Sequence, residues 1–203
     1  MSKKQRGAKN PYQRGDHFTR QAKAEGYAAR SVFKLSEIDR RARLLKPGMR
    51  VLDLGCAPGS WSAYAAKTAS KVVGVDIQEL QTFPGTFIHE DIAEVSADRL
   101  REALGGPPHV VLSDMAPSTV GDRFSDHVRQ MRLAGLARDR AFELLEAGGH
   151  FACKIFDGED ATPFVNELRP HFDSVRRFKP EATRKISREF FVLAMGYRPS
   201  PEV

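Results

Sequence analysis

Val51-Leu-Asp-Leu-Gly-Cys-Ala-Pro-Gly-Ser-Trp61 is the stretch around which the rest of the chain is arranged. Residues 51–54 are short and apolar with one acid, the pattern of a buried strand. Residues 55–59, Gly-Cys-Ala-Pro-Gly, read as a turn whose glycines let the backbone pass close to a ligand. Ser60 is expected to cap a helix running through Trp61, Tyr64 and Ala65. Together these make a nucleotide-sized cradle, because small residues admit the ligand and free N–H groups at the helix start face it. The spacing excludes two common cradles. Gly55 and Gly59 stand four apart with Pro58 between them, unlike the dinucleotide fingerprint, and no Gly-Lys-Ser/Thr follows as in a P-loop.

The 203 residues suffice for one α/β domain with a short appendage. A hydrophobic fraction of 41% and a charged fraction of 29% are those of a soluble globular chain. No apolar run approaches a membrane span, and the N-terminus lacks an apolar signal core, so a cytoplasmic protein is expected. Cys56 and Cys153 sit in or beside apolar runs and read as free buried thiols of a reducing compartment. Neither they nor the six histidines show metal-ligand spacing, so no metal is expected. The net charge of +6 is unevenly spread. Residues 1–50 hold 14 Lys/Arg against 4 Asp/Glu, whereas residues 51–203 hold 18 against 22. A second basic patch, residues 169–198, holds 8 against 3. Basic segments flanking a near-neutral core suggest a polyanion laid across one face.

Taken in order, residues 1–15 read as a basic flexible arm and residues 16–203 as a single domain, with a basic helical extension over 16–46. Within that extension, a weak helical pattern covers 16–24, and residues 29–42 form a helix with Val32, Leu35 or Phe33, Ile38 and Ala42 on its buried side. Further strands are expected at 71–76, 86–89, 109–114, 150–156, 174–178 and 189–196. Helices are expected at 97–104, 126–147 and 160–171, the long one with Val128, Met131, Leu133, Leu136, Phe142 and Leu145 in the core. Alternating strands and helices imply a doubly wound, mostly parallel seven-stranded sheet with helices on both faces. The last two strands are joined without a helix, so one of them runs antiparallel. Ligands bind beyond the carboxyl ends of such strands, where Asp76, Asp91 and Asp114 are placed.

Asp76 stands where a carboxylate accepts the ribose hydroxyls of an adenosine cofactor, the alternative being a helix cap. Asp91 would lie beside the adenine, a role Glu90 could also fill. Lys154 interrupts the apolar run Phe151-Ala-Cys-Lys-Ile-Phe156, and a lysine in a buried strand is costly unless paired or functional. Desolvation and a neighbouring cation favour a neutral amine, which can act as a base.

The Asp-x-Gly-x-x-Pro-Gly turn resembles the first motif of S-adenosylmethionine-dependent methyltransferases, whose Rossmann-like sheet has its seventh strand inserted antiparallel. Lys34 in Arg30-Ser-Val-Phe-Lys-Leu, Asp114 in Ser-Asp-Met-Ala-Pro, Lys154 in Cys-Lys-Ile-Phe and Glu189 in Ser187-Arg-Glu-Phe match, in order and context, the Lys-Asp-Lys-Glu tetrad of 2′-O-ribose methyltransferases. The chain most closely resembles the bacterial FtsJ/RrmJ (RlmE) family of ribosomal RNA methyltransferases, over about residues 16–198. A departure is Ser60, where the family usually has a second glycine. The resemblance implies S-adenosylmethionine as cofactor, held by Gly55, Pro58, Gly59, Trp61, Asp76, Asp91 and Asp114. It implies methylation of a uridine 2′-hydroxyl in the A-loop of 23S ribosomal RNA on the large (50S) subunit. Lys154 would be the proton acceptor, Asp114 would orient it, Lys34 would steer the hydroxyl and Glu189 would complete the network. RNA would lie on Arg14, Arg20, Lys23 and Arg30 and on the loop carrying Lys179, Arg184, Lys185 and Arg188, with Tyr12, Phe18 and Tyr27 as possible stacking partners. The competing readings are a 2′-O-methyltransferase of transfer RNA or a messenger cap, and a non-catalytic RNA-binding ribosome-assembly factor. A monomer is the default, and no membrane partner is implied.

Overall fold

The computed structural model describes residues 17–118, 121–184 and 186–199. Arg14, Lys185 and Tyr12 lie outside the described residues. Seven strands form one sheet: β1 (Arg50–Leu54), β2 (Lys71–Asp76), β3 (Thr86–His89), β4 (Val110–Ser113), β5 (His150–Phe156), β6 (Phe172–Phe178) and β7 (Glu189–Tyr197). Their order is β3-β2-β1-β4-β5-β7-β6. All neighbouring pairs are parallel except those of β7, which runs antiparallel to both β5 and β6. The final hairpin is therefore inserted, with β7 inside the sheet and β6 at its edge.

Each strand alternates its side chains between two cores. Val51, Val72, Val110, Leu112, Ala152, Phe191 and Leu193 pack against α2 (Val32–Ala42) and α3 (Ser60–Ala65). Leu52, Leu54, Val73, Val75, Val111, Phe151, Cys153 and Ile155 face α4 (Ala97–Leu104), α5 (Arg123–Leu144) and α6 (Ala161–Leu168). A short helix, α1 (His17–Ala24), precedes α2. Of the two alternatives in α2, Leu35 is buried together with Val32 and Ile38, while Phe33 is half-buried and packs on Phe18. Among the described residues no helix is long and apolar enough to cross a membrane.

The long helix corrects part of the expected core: Leu145 is buried, and Met131, Leu136 and Phe142 pack against the core from its margin. Val128 is 48% exposed, and Met131, Leu133, Leu136 and Phe142 are only half-buried. The buried face of α5 is Gln130, Ala134, Ala137, Ala141 and Leu144, at helical spacing. Alanines leave room for the helix backbone to lie close on β4 and β5, which pushes the larger apolar residues to the flanks of the contact.

Candidate active site

The order of strands reverses between β1 and β4, and the site lies beyond their carboxyl ends. Residues 55–59 leave β1 and fold back over β2. The N–H groups of Gly55 and Cys56 both donate to the Val75 carbonyl, at 2.9 and 3.3 Å. Gly55 and Gly59 have φ of +70° and +93°, a conformation L side chains rarely adopt. A Cβ on Gly55 would sit 2.1 Å from Met115 Cγ, whereas Gly59 faces open space apart from Phe83 at 4.0 Å. Asp76 fastens the turn to β2: its Oδ2 accepts the Ala57 N–H and its Oδ1 the Gln78 N–H, both at 2.8 Å. It does not cap a helix. A carboxylate has about four lone-pair positions, so acceptor capacity remains on both oxygens for a diol. Ile77, next along, is 68% exposed and offers an apolar face beside that carboxylate. Asp91 is exposed, its Oδ1 accepting the Ala93 N–H at 2.9 Å, while Glu90 is committed to an ion pair with Arg99. Asp91 is thus the less committed of the two carboxylates. The turn, its open Gly59 face and the flanking carboxylates fit an adenosine-bearing ligand.

Two expectations about the turn are corrected. Ser60 does not cap α3; Gly59 stands at the cap position, and Ser60 Oγ accepts the Ala29 N–H at 2.7 Å. The Trp61 indole is buried in the core, donating from Nε1 to the Ser31 carbonyl at 2.9 Å and packing 5.5 Å from Phe191. Only its backbone is left to face the turn. Both partners lie about 30 residues upstream, in a segment that tertiary folding alone brings near.

Strand alternation explains why the tetrad assembles. Asp114 follows Leu112, Lys154 follows Ala152 and Glu189 precedes Phe191 at even spacing, so all three project onto the sheet face covered by α2. Lys34 meets them from α2. Lys154 Nζ donates to the Asp114 carbonyl at 2.6 Å and lies 2.9 Å from Asp114 Oδ1. Lys34 Nζ lies 2.5 Å from Glu189 Oε1 and 5.8 Å from the centre of the Phe191 ring. Burial alone would raise the Glu189 carboxyl, but Lys34 and, further off, Lys154 outweigh it and hold it below the ordinary value. The buried lysines are thus answered by carboxylates within the site.

Beneath the site, Asp53 of β1 is buried, and Ser62 Oγ donates to it at 2.5 Å. Burial pushes its pKa up to about 7, with Asp114 and Asp76 adding to the rise. Behind the site, His150 N–H donates to the His109 carbonyl of the β4 side, so the even-numbered residues of β5 point their backbone groups that way. The β4–β5 ladder ends at Ser113 and Cys153. The Lys154 carbonyl lies just past it, and Gln130 Nε2 of α5 takes it at 2.9 Å. Sequence reading missed this residue, although a glutamine in register with a buried alanine face was a visible signal.

Over Lys34 and Glu189 lies a cleft of about 340 Å³, lined also by Arg30, Ser31, Arg184, Ile186 and Ser187. It lies between α2 and the β6–β7 loop, which Glu37 anchors by accepting the Glu181 N–H at 2.7 Å. Arg30 also donates to the Ala182 carbonyl. Burial and the Arg184 cation lower the Arg30 pKa, and both arginines line the cleft. Ile186, on the rim, is 69% exposed. Of the other expected RNA contacts, Arg20 and Lys23 are exposed on α1. Lys179 donates to the Ser187 carbonyl and Arg188 to the Asp157 carbonyl. Phe18 lies under Arg30, and Tyr27 under Lys67, so both rings have intramolecular cation partners. Among the described residues no group of three His, Cys, Asp or Glu side chains is arranged to hold a metal ion.

A doubly wound sheet with an inserted antiparallel strand, a glycine turn at the reversal point and carboxylates after β2 and β4 define a Rossmann-like methyltransferase whose methyl donor is S-adenosylmethionine. Residues 27–197 match the model of the FtsJ-like methyltransferases, and the chain belongs to that family. It is 46% identical to the ribosomal RNA large subunit methyltransferase E of Desulfosudis oleivorans, over 98% of this chain and 96% of that one. It is also 46% identical to the protein of the same name from Oleidesulfovibrio alaskensis, over 92% and 94% of the two chains. Among solved structures, a ribosomal RNA methyltransferase from Plasmodium falciparum superposes with a TM-score of 0.76 at 25% identity, covering 86% of this chain and all of that one.

Proposed function

We propose that this enzyme methylates the 2′-hydroxyl of a uridine in the A-loop of 23S ribosomal RNA, on the large (50S) ribosomal subunit in the cytoplasm, as a step of ribosome biogenesis. The observation that carries the reading is the meeting of Lys34, Asp114, Lys154 and Glu189 on one sheet face, with a basic cleft over Lys34 and Glu189. The relatives named above are ribosomal RNA large subunit methyltransferases, which favours this substrate over transfer RNA or a messenger cap.

S-adenosylmethionine supplies a methyl group on a positively charged sulfur, open to attack by oxygen. Gly55, Pro58 and Gly59 with the Trp61 backbone would hold its amino-acid end, Asp76 its ribose, and Asp91 with Ile77 its adenine. A ribose hydroxyl is a weak nucleophile at neutral pH, so a base assists as its proton leaves. Lys154 is that base. Asp114 fixes the amine through two oxygens and leaves a third direction for exchange with substrate. Lys34 and Glu189 form the adjoining polar wall, the ammonium steering the hydroxyl and the carboxylate holding the ammonium in place. Fixing the hydroxyl near the methyl group supplies much of the acceleration.

Arg30 and Arg184 bind phosphate where the strand enters the cleft, with Arg20, Lys23, Lys179 and Arg188 extending the basic face. Arg14 and Lys185 belong to the same proposed path. Residues 1–15 act as a basic arm, 16–203 as one domain and the protein works as a monomer without a metal. The test is transfer of labelled methyl groups to large subunits lacking the modification, by the native chain and by Lys154→Ala. Label at a uridine 2′-hydroxyl with the native chain, reduced by at least about 100-fold in the variant, is expected. Equal transfer by both would remove Lys154 from the role of base.

A further inference from the structure

The Ser60 hydroxyl, beside the turn, has a defined partner. The residue is 2% exposed, and its Oγ accepts the Ala29 N–H at 2.7 Å. The next residue makes a parallel link, Trp61 Nε1 donating to the Ser31 carbonyl at 2.9 Å. The two bonds grip Ala29 and Ser31, on either side of Arg30. Arg30 and Ser31 line the basic cleft, and Lys34, one turn into α2, forms part of its wall. On the other side Ser60 directly follows Gly59, the last residue of the cofactor turn. One side-chain hydroxyl therefore joins the cofactor turn to the wall of the RNA cleft.

We propose that Ser60 is a positioning residue that couples the two sites, so that an occupied cofactor turn tightens RNA binding through Ala29, Arg30 and Lys34. The inference rests on the reading of the turn as the cofactor site and the cleft as the RNA site. Physically, a ligand that fixes Gly59 and the start of α3 also fixes Ser60 Oγ. A fixed acceptor holds the Ala29 N–H, and with it the backbone from which Arg30 and Lys34 project. Coupling of this kind is reciprocal: whatever one ligand gives the other, it receives in return. Without Oγ the Trp61 bond still holds Ser31, so the wall loosens at Ala29 while remaining attached.

The experiment measures binding of unmodified large ribosomal subunits with and without S-adenosylhomocysteine, using the native chain, Ser60→Ala, Ser60→Gly and Ser60→Thr. Binding of S-adenosylhomocysteine alone is measured by calorimetry. The native chain is expected to bind subunits about fivefold or more tightly when the nucleoside is present. Alanine and glycine should bring that ratio to about one while leaving nucleoside affinity within about twofold, and threonine, which keeps Oγ, should restore it. Melting temperatures identify any variant whose loss of coupling is simply loss of fold. Both ligands binding the native chain without affecting each other, or alanine retaining the native ratio, overturns the coupling alone. A native chain that binds neither ligand overturns the functional reading, and the coupling with it.

Discussion

A buried carboxyl group can oppose folding as well as support it, and Asp53 is such a group. Its pKa is raised to about 7 by burial, so between the ordinary carboxylate value and pH 7 the folded chain holds a proton that the unfolded chain has lost. Stability therefore falls as pH rises across that window and is flat above it. Asp53→Asn removes the titration, keeping a partner for Ser62. Its melting temperature relative to the native chain should be higher at pH 8.5 than at pH 5.5; an unchanged difference would mean that Asp53 is ionised throughout. Glu189 has the opposite sense: its pKa is depressed, so its pairing with Lys34 stabilises the site above the ordinary carboxylate range and is lost as pH falls through the lowered value. Of the tetrad, Lys154 stood out by a local rule, as a lysine inside an apolar strand, whereas Lys34 and Glu189 were read only through the resemblance to the family's motif. The positions of Ser60 and Trp61 were not legible. Their partners are 31 and 30 residues away, and no local pattern encodes which backbone group a hydroxyl or indole will meet.

The strands were read almost to the residue, since β1, β2 and β5 are continuous apolar runs bounded by glycine or acid. Helix α5 was found in place, but its buried face was read only in part. Its large residues, Val128 to Phe142, suggested a core face, whereas the contact with the sheet is made by Ala134, Ala137 and Ala141. Hydrophobic size is a guide to burial only where there is space for it, and close approach of a helix selects against it. Ala137→Leu should accordingly destabilise the protein by about 1–3 kcal/mol. Urea unfolding of that variant checks the point, and a neutral result would show that the helix can lift from the sheet at no cost. The same helix supports the chemistry, because Gln130 completes the hydrogen bonding of the Lys154 carbonyl where β4 has already ended.

The uneven charge of the whole chain, basic before residue 51 and acidic after it, becomes in three dimensions a cleft with arginines from both ends of the chain. Arg30 comes from the lead-in to α2 and Arg184 from the β6–β7 loop, and they meet over Lys34 and Glu189. If Arg184 contacts a phosphate of single-stranded RNA, Arg184→Ala should reduce the slope of log affinity against log salt by about 0.7–1. The measurement is subunit binding over a salt series; parallel lines for the two proteins would exclude the contact. The placement of β7 also affects how the molecule comes into being. It follows every other strand in the chain, yet it lies inside the sheet and carries Glu189. A chain still emerging from the ribosome thus presents β5 with an open edge, Lys34 without its carboxylate, and a cleft lacking one side. The site is complete only once β7 has been made and has entered the sheet between β5 and β6.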